Sequence, residues 1–374
     1  TTAAAYDGRI FLFGGSEFPP DSSESSVFVY DTASLNWTLY GHMPKRLCGM
    51  AATRVEDKIY IIGGAPTVFG IPTGDVFAFD PVMNTWEQKA AMITPRSFFA
   101  TSQLGGKIYT IGGLAEGPAN SAIPSKAVEV YDPASNTWTA VSPLSQAILN
   151  AMAGAAGGSL YVTGGTTGYP YVGITNTFRY DTSTNQWTPA SYLPTGRWGA
   201  AGVVIENKFY VIGGNSGLAT NFAKVEVFDP ATGIWTSETP MPTARRSLAA
   251  AESGGRIYAM GGLDDNGVLS LVEVFTPALS GIEEVDAMDP DLLQIYANPA
   301  GQETRVNYLV TDPGDIEVLL FSVSGALIKR LVKSSHAPGE YSVRVDTGGM
   351  AKGVYWCVLQ TGNRRLAVRK MVVM

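Results

Sequence analysis

The hydrophobic pattern of this chain is a short apolar run that recurs six times and ends each time in two glycines. The runs are rich in β-branched and aromatic residues, as in Ile59–Ile62, and each is followed by a second strand-like run such as the one ending at Phe79. The glycine pairs are 49, 49, 52, 49 and 48 residues apart, and they are Gly14-Gly15, Gly63-Gly64, Gly112-Gly113, Gly164-Gly165, Gly213-Gly214 and Gly261-Gly262. A period near fifty is typical of a propeller blade. The pattern therefore predicts an all-β propeller of six blades over residues 1–279.

A tryptophan stands at a fixed place in five of these units. The second strand of each unit ends in an aspartate, and the tryptophan follows six residues later, at Trp37, Trp86, Trp138, Trp187 and Trp235. Turn-forming residues separate the two positions, as in 133–136. A large aromatic side chain fills a wedge-shaped gap well, so we expect each tryptophan to pack between neighbouring blades and not against a ligand.

The order of glycine pair, aromatic-Asp-Pro and Asn-x-Trp resembles the Kelch repeat. This resemblance implies a propeller of four-stranded blades. The sixth unit departs from it, because Thr276 stands where the aspartate is expected and no tryptophan follows. We expect blade 6 to be incompletely closed by its own strands. Its outer strand would come from residues upstream of Thr1, which a processed or truncated start has removed, or from the segment after Pro277.

A second β module follows the propeller. Residues 280–291 are acidic and predict a linker. The remaining residues, 292–374, alternate strand-like runs with turn signals and predict a small antiparallel β-sandwich of the immunoglobulin-like kind. The strand candidates are Thr304–Leu309, Ile316–Phe321, Leu327–Val332, Tyr341–Val345, Gly353–Gln360 and Leu366–Val373.

Short motifs in this module occur in a recognisable order, and their residues are Asn298, Pro299, Gly325, Gly353, Tyr355 and Lys370. Together they resemble the C-terminal sorting domain of the type IX secretion system of Bacteroidota. The alternative is a sandwich like that of flagellar hook-capping proteins. The resemblance implies the type IX machinery as a partner, an extracellular or outer cell-surface location, and attachment to surface polysaccharide.

Composition and charge narrow the possible partners. Of the 374 residues 45% are hydrophobic and 16% are charged, and the sequence has no long apolar run, so no membrane-spanning helix is expected. The net charge of −7 argues against a nucleic-acid partner for the propeller. For Cys48 and Cys357, two buried free thiols are favoured over a disulfide, which needs closely spaced Cα atoms.

One face of the propeller carries the longer and more variable loops. Strand order places the short turns within each blade on one face and the long connections on the other. The long connections are Ser16–Ser26, Ala65–Gly74, Leu114–Lys126, Thr166–Thr175 and Asn215–Ala223. Binding residues concentrate on loops held by a rigid scaffold, so this face, named here the long-loop face, is the candidate binding surface.

Arginines and aromatic residues recur on the long-loop face. Arg46, Arg96, Arg197 and Arg245 lie 16 or 17 residues before a glycine pair and are expected to ring the channel mouth. Guanidinium groups there suit carboxylates or acidic sugars. The alternative is that they hold neighbouring loops together. The aromatic candidates for stacking on sugar rings are Phe69, Tyr169, Tyr171 and Trp198.

Enzymatic chemistry has little support in the sequence. The propeller contains one histidine, His42, so the ligand count excludes a copper centre like that of galactose oxidase. Asp264 and Asp265 form a weak calcium candidate, for which a plain turn is the favoured interpretation. No cofactor is expected. The predicted function is that of a secreted or cell-surface propeller acting as a binding or structural module. The alternatives are a carbohydrate-active enzyme resembling N-acetylneuraminate epimerase and a protomer of an extracellular assembly or filament.

Overall fold

The chain is all-β and divides into two compact units, Thr1–Phe275 and Thr276–Met374. The structure is a computed structural model that describes residues 1–16, 23–68, 70–217, 220–277, 292–296, 300–322, 327–361 and 364–373. In these ranges the only helical element of three or more residues is a short 3-10 turn, Pro118–Asn120. The first unit is the propeller and the second is the C-terminal module.

The propeller consists of six antiparallel sheets, whose strands lie side by side in chain order from the inside outward. Blade 1 contains β1 (Thr2–Tyr6), β2 (Arg9–Ser16), β3 (Ser23–Asp31) and β4 (Asn36–His42), and blade 2 contains β5 (Ala51–Val55), β6 (Lys58–Ile62), β7 (Val76–Asp80) and β8 (Thr85–Lys89). Blade 3 contains β10 (Ala100–Leu104), β11 (Lys107–Ile111), β14 (Val128–Asp132) and β15 (Thr137–Val141). A separate small sheet is formed by β9 (Arg96–Ser97), β12 (Leu114–Glu116) and β13 (Ala122–Pro124).

Blades 4 and 5 repeat this plan, and blade 6 shows three strands in the part of the chain that the structure describes. Blade 4 contains β16 (Met152–Ala156), β17 (Ser159–Thr163), β18 (Thr177–Asp181) and β19 (Gln186–Pro189), and blade 5 contains β20 (Ala201–Ile205), β21 (Lys208–Ile212), β22 (Val225–Asp229) and β23 (Ile234–Glu238). Blade 6 contains β24 (Ala249–Ser253), β25 (Arg256–Met260) and β26 (Val272–Phe275). The six-bladed prediction is confirmed, while the origin of an outer strand for blade 6 stays a prediction.

The glycine pairs of blades 1 to 5 each join their blade to the next one along the chain. The N–H of Gly64 donates to the carbonyl of Arg96 in blade 3 (2.9 Å), and the same bond recurs from Gly15, Gly113, Gly165 and Gly214. Gly64 has φ +98°, and a Cβ there would lie 2.9 Å from the carbonyl oxygen of Cys48. Only glycine combines this backbone conformation with so close an approach, so the pair is a structural requirement of the blade contact.

Four of the five repeated tryptophans contact the preceding blade, as predicted, whereas Trp37 is 37% exposed and packs on Tyr30 of its own blade. The indole N–H of Trp138 donates to the carbonyl of Ala90 in the preceding blade (2.8 Å), and its ring lies 5.1 Å from that of Tyr131. Trp187 and Trp235 make the equivalent bonds to Ser142 and Ser191, both 2.9 Å long. Each of these three indoles is half-buried against the preceding blade and also pairs its N–H.

The C-terminal module has two antiparallel sheets that share one core. The first contains β27 (Leu293–Tyr296), β28 (Glu303–Val310) and β31 (Gly339–Asp346), and the second contains β29 (Gly314–Ser322), β30 (Leu327–His336), β32 (Gly353–Thr361) and β33 (Arg364–Val373). Val306 and Tyr308 of the first sheet pack with Val318 and Leu359 of the second. A core shared by two sheets is what the predicted sandwich requires. The predicted linker, 280–291, lies outside the described residues.

Candidate functional site

The inner strands of the six blades line a central channel. At the long-loop face the channel opens into a cavity of about 500 Å³, and at the opposite face into one of about 470 Å³. Most wall residues are small, such as Ala52, Ala153 and Gly202. The larger cavity has the size of a typical small-ligand pocket.

Four backbone hydrogen bonds link five residues in a partial ring around the mouth of this cavity. Its members come from blades 2 to 6, each has a positive φ between 51° and 62°, and they are Gly49, Phe98, Asn150, Gly199 and Ser247. The N–H of each later member donates to the carbonyl of the one before, over 2.6–3.1 Å. Sequence reasoning missed this ring as a unit. Its signal is a constant offset, because each member lies fourteen residues before the first glycine of its pair.

The structure corrects the prediction that arginines line the channel mouth to receive a ligand. The side chains of Arg96, Arg197 and Arg245 have no exposed surface. Each forms an ion pair with a glutamate of its own blade: Arg96 with Glu129 (3.4 Å), Arg197 with Glu226 (2.6 Å) and Arg245 with Glu273 (3.0 Å). These guanidinium groups lie beneath the surface, so the geometry supports the alternative interpretation, that they hold neighbouring loops together.

The surroundings of Arg197 show how such a group is held. Its Nη1 donates to the carbonyls of Gly213 (2.9 Å) and Lys224 (3.1 Å), and its guanidinium lies 5.3 Å from the centre of the Phe222 ring. Burial lowers the pKa of Arg197, and the nearby Glu226 carboxylate opposes that shift. The charge is paired and enclosed, as a buried guanidinium must be.

The glutamate partners are structural residues that sequence reasoning missed. They occupy the second position of strands with the pattern Val-Glu-Val, which in blades 3 and 5 places a charge between two buried valines. Blade 4 has the apolar pair Ile148 and Phe178 at the equivalent places. A charged residue inside an apolar strand, matched by an arginine in the same repeat, is the signal that would have identified the pairs.

Arg46 differs from the other arginines. It lies seventeen residues before its glycine pair, one position out of register, and Leu47 takes the buried position. The Arg46 side chain is exposed. Its place in the candidate site therefore stays a prediction.

Aromatic side chains form a cluster on the long-loop face, named here the aromatic cluster and consisting of Tyr169, Tyr171 and Trp198. The ring centres of Tyr171 and Trp198 are 5.9 Å apart, and those of Tyr169 and Tyr171 are 6.2 Å apart. Tyr169 is 90% exposed and Tyr171 45% exposed, whereas Trp198 is half-buried. Trp198 directly precedes Gly199, so the cluster adjoins the channel mouth.

The loop that carries the two tyrosines is held in place by its neighbours. The indole N–H of Trp198 donates to the carbonyl of Tyr171 (3.0 Å), and the N–H of Gly173 donates to the carbonyl of Ser216 (3.0 Å). Gly217 packs so closely that a Cβ would lie 1.9 Å from the Tyr171 carbonyl oxygen. These contacts hold the backbone of the loop in place before any ligand binds, which lowers the entropic cost of binding. Phe69, the remaining aromatic candidate, lies outside the described residues.

The two aspartates of the weak calcium candidate accept hydrogen bonds from different groups of the protein. Asp264 accepts from the N–H groups of Asn266 (2.7 Å) and Gly267 (2.9 Å), and Asp265 accepts from the side chain of Asn221 (2.9 Å). Asp264 therefore caps its own turn, in line with the favoured interpretation. Among the described residues no group of three or more metal-ligating side chains comes together.

The sorting-motif residues that the structure describes lie in the C-terminal module. Gly353 begins β32 with φ +155°, Tyr355 is buried and donates its hydroxyl to the carbonyl of Ala351 (2.7 Å), and Lys370 is exposed on β33. Asn298, Pro299 and Gly325 lie outside the described ranges. Cys48 and Cys357 are both buried free thiols, and burial raises the pKa of Cys357 to about 12.

Comparison with known families identifies the repeat. Residues 1–189 match the model described as the KLHDC2/KLHL20/DRC7 Kelch-repeats domain, and residues 197–242 and 244–278 match the Kelch motif. The chain belongs to the Kelch-repeat family. Its Kelch propeller is followed by a match to the secretion system C-terminal sorting domain over residues 294–374.

The propeller also resembles a solved structure in its fold. The Kelch propeller is similar in fold to the solved structure of YjhT, with a TM-score of 0.59, 14% sequence identity, and coverage of 74% of this chain and 93% of that one. No curated protein matches the chain. Among the described residues there is no helix long and apolar enough to cross a membrane. The sorting domain indicates export to the cell surface or the extracellular space.

Proposed function

We propose that this Kelch propeller is the binding module of a secreted or cell-surface protein, and that it binds an oligosaccharide at the aromatic cluster. The observation that carries the proposal is the cluster itself, in which Tyr171 and Trp198 expose ring surface beside a cavity of about 500 Å³. Aromatic rings offer a broad apolar surface at a small entropic cost, and the apolar C–H face of a sugar ring matches that surface.

The charge distribution favours a neutral sugar over an acidic one. Three of the four arginines that were expected to attract a carboxylate are buried and paired with glutamates, and the exposed Arg46 is not among the residues that line the cavity. The polar side chains at the channel mouth are instead neutral, with Asn150 half-buried and Ser247 exposed. Amide and hydroxyl groups exchange hydrogen bonds with sugar hydroxyls in both directions, so the face suits a ligand rich in hydroxyl groups.

The sorting domain supports this role because it takes the propeller to where oligosaccharides occur outside the cell. It implies the type IX machinery as the export partner. The alternatives, a carbohydrate-active enzyme and a protomer of a surface assembly, use the same exported propeller. The aromatic cluster favours binding over both, because it supplies a stacking surface and no acid–base pair.

The test is an array of neutral and acidic oligosaccharides probed with the purified full chain, followed by titration of the best ligand. Tyr171→Ala should weaken binding about tenfold or more, the effect of losing roughly 1.4 kcal/mol of stacking. The variant keeps the backbone carbonyl that accepts the Trp198 bond, so the loop should stay ordered. The matched control is Tyr192→Ala, which removes a tyrosine that is 67% exposed and outside the cluster.

Two results would contradict the proposal. One is the absence of any oligosaccharide ligand on the array. The other is an equal loss of affinity in the Tyr171→Ala and Tyr192→Ala variants. A preference for acidic over neutral ligands would refute the charge argument.

A further inference from the structure

The C-terminal module contains a second cleft, separate from the propeller and independent of the proposed function. It lies on the outer face of the sheet formed by β27, β28 and β31 and has a volume of about 340 Å³. Its lining residues are Tyr296, Glu303, Thr304, Arg305, Asn307 and Arg344. The cleft therefore combines two positive charges, an aromatic ring and an amide on one small surface.

The two arginines face each other across the strands. Arg305 of β28 is directly opposite Arg344 of β31, and both side chains are exposed. In the described part of the chain neither makes a hydrogen bond or an ion pair. By contrast, Arg330 and Lys333 on the other sheet lie 3.4 and 3.3 Å from the carboxylate of Glu317. Like charges directly opposite in a sheet are destabilising, so an anion placed between Arg305 and Arg344 would relieve a repulsion as well as form new bonds.

The other groups specify which anion fits. Tyr296 lies opposite Arg305 on its other side, is 51% exposed, and is oriented by a bond from its hydroxyl to Gln294 (2.8 Å). The Oδ1 atom of Asn307 is buried without a hydrogen-bond partner among the described residues, a state that costs about 1–3 kcal/mol. Tyr296 favours a ligand that offers a ring face, whereas the buried Asn307 oxygen presents no surface to a ligand.

The carboxylate of Glu303 disfavours a ligand that carries more than one negative charge. Glu303 lines the cleft and stands opposite Asp346, so two carboxylates border the arginine pair. A carboxylate accepts hydrogen bonds from hydroxyl groups but repels additional negative charge. A singly charged ligand with hydroxyl groups therefore fits better than a phosphate dianion.

From these groups we propose that the cleft binds a uronic acid, that is, a sugar with one carboxylate. The carboxylate lies between the guanidinium groups of Arg305 and Arg344, a pairing that permits bidentate hydrogen bonds. The sugar ring lies on Tyr296, and hydroxyl groups donate to the carboxylate of Glu303.

The experiment is calorimetric titration of the full chain with sodium glucuronate, with glucose and inorganic phosphate as comparison probes. Arg344→Gln and Arg305→Gln should each weaken glucuronate binding about tenfold, because each removes a charge-assisted contact. Lys352→Gln, a change at another exposed cation of the same module, should leave it unchanged. Thermal melting of each variant checks that the exposed substitutions leave the fold intact.

The outcomes separate this proposal from the proposed function of the propeller. Trp198→Ala should leave glucuronate binding unchanged, because Trp198 belongs to the other unit. The proposal is overturned if glucuronate does not bind, if phosphate or glucose binds as tightly, or if Lys352→Gln weakens binding as much as Arg344→Gln.

Discussion

The buried ion pair between Arg197 and Glu226 allows a prediction about stability. Replacing Arg197 with methionine leaves the Glu226 carboxylate enclosed without its partner, and the loss of one partner of a buried pair costs about 3–5 kcal/mol. The structure supports this range, since the arginine has no exposed surface and the side chain of Glu226 is 3% exposed. The carbonyls of Gly213 and Lys224 also lose a donor.

A double variant tests whether the pair is structural. Arg197→Ile with Glu226→Phe copies the apolar pair Ile148 and Phe178 of blade 4. Replacing a buried ion pair by packed apolar residues is often neutral, so we expect the double variant to recover to within about 1.5 kcal/mol of the wild type. Arg46→Met, at an exposed arginine, should change the free energy of unfolding by less than about 0.5 kcal/mol.

The assay is urea unfolding of the full chain, followed by tryptophan fluorescence. The reasoning is refuted if Arg197→Met lowers the free energy of unfolding by less than about 1 kcal/mol, well short of the cost of an unpaired buried charge. It is also refuted if the double variant is as unstable as the single one. Either result would return Arg197 to the list of candidate ligand-binding residues.

Three further predictions concern the blade contacts, the outer turns and export. Trp138→Phe removes the bond to Ala90 and should lower the free energy of unfolding by about 1 kcal/mol in the same urea assay; an unchanged value would contradict the role of that bond. The bond from Lys58 holds the pKa of Asp80 at about 2, so its stabilising effect is complete above the ordinary value near 4 and lost as the pH falls towards 2. Thermal melting from pH 5 to pH 2 should therefore decline less steeply in Asp80→Asn, and parallel curves would refute this. Deleting residues 292–374 should leave the propeller folded but stop its export by the native host; normal appearance of the truncated protein outside the cell would contradict the sorting role.

The sequence was sufficient for the architecture because the blade plan is repeated. The glycine pairs of blades 1 to 5 make the same backbone bond, and each tryptophan from Trp138 to Trp235 pairs with the blade before it. Where one unit lacks a residue of the pattern, the other units still predict its strands. The strand Leu293–Tyr296 was not predicted, because it occurs once and has no repeat to support it.

The candidate site was predicted less well, for a physical reason. The spacing of Arg96, Arg197 and Arg245 gives their position along the chain, but it does not distinguish a side chain at the channel mouth from one beneath it. Burial depends on the glutamate across the sheet, which a scan for arginines ignores. The aromatic residues Tyr171 and Trp198 were predicted because loops of unequal length indicate the exposed face of the propeller. The position of Arg305 opposite Arg344 was not predicted, because it depends on the register between two strands.

The central claim is that the Kelch propeller binds through the aromatic cluster while its arginines support the fold. The most direct measurement is a crystal structure of the chain with the best oligosaccharide from the array. We predict a sugar ring against Tyr171 and Trp198 at the long-loop mouth of the channel, with no ligand atom in contact with the Arg197 guanidinium. A ligand bound at the short turns, such as Glu206–Asn207, or one that reaches the Arg197 guanidinium, would contradict the claim.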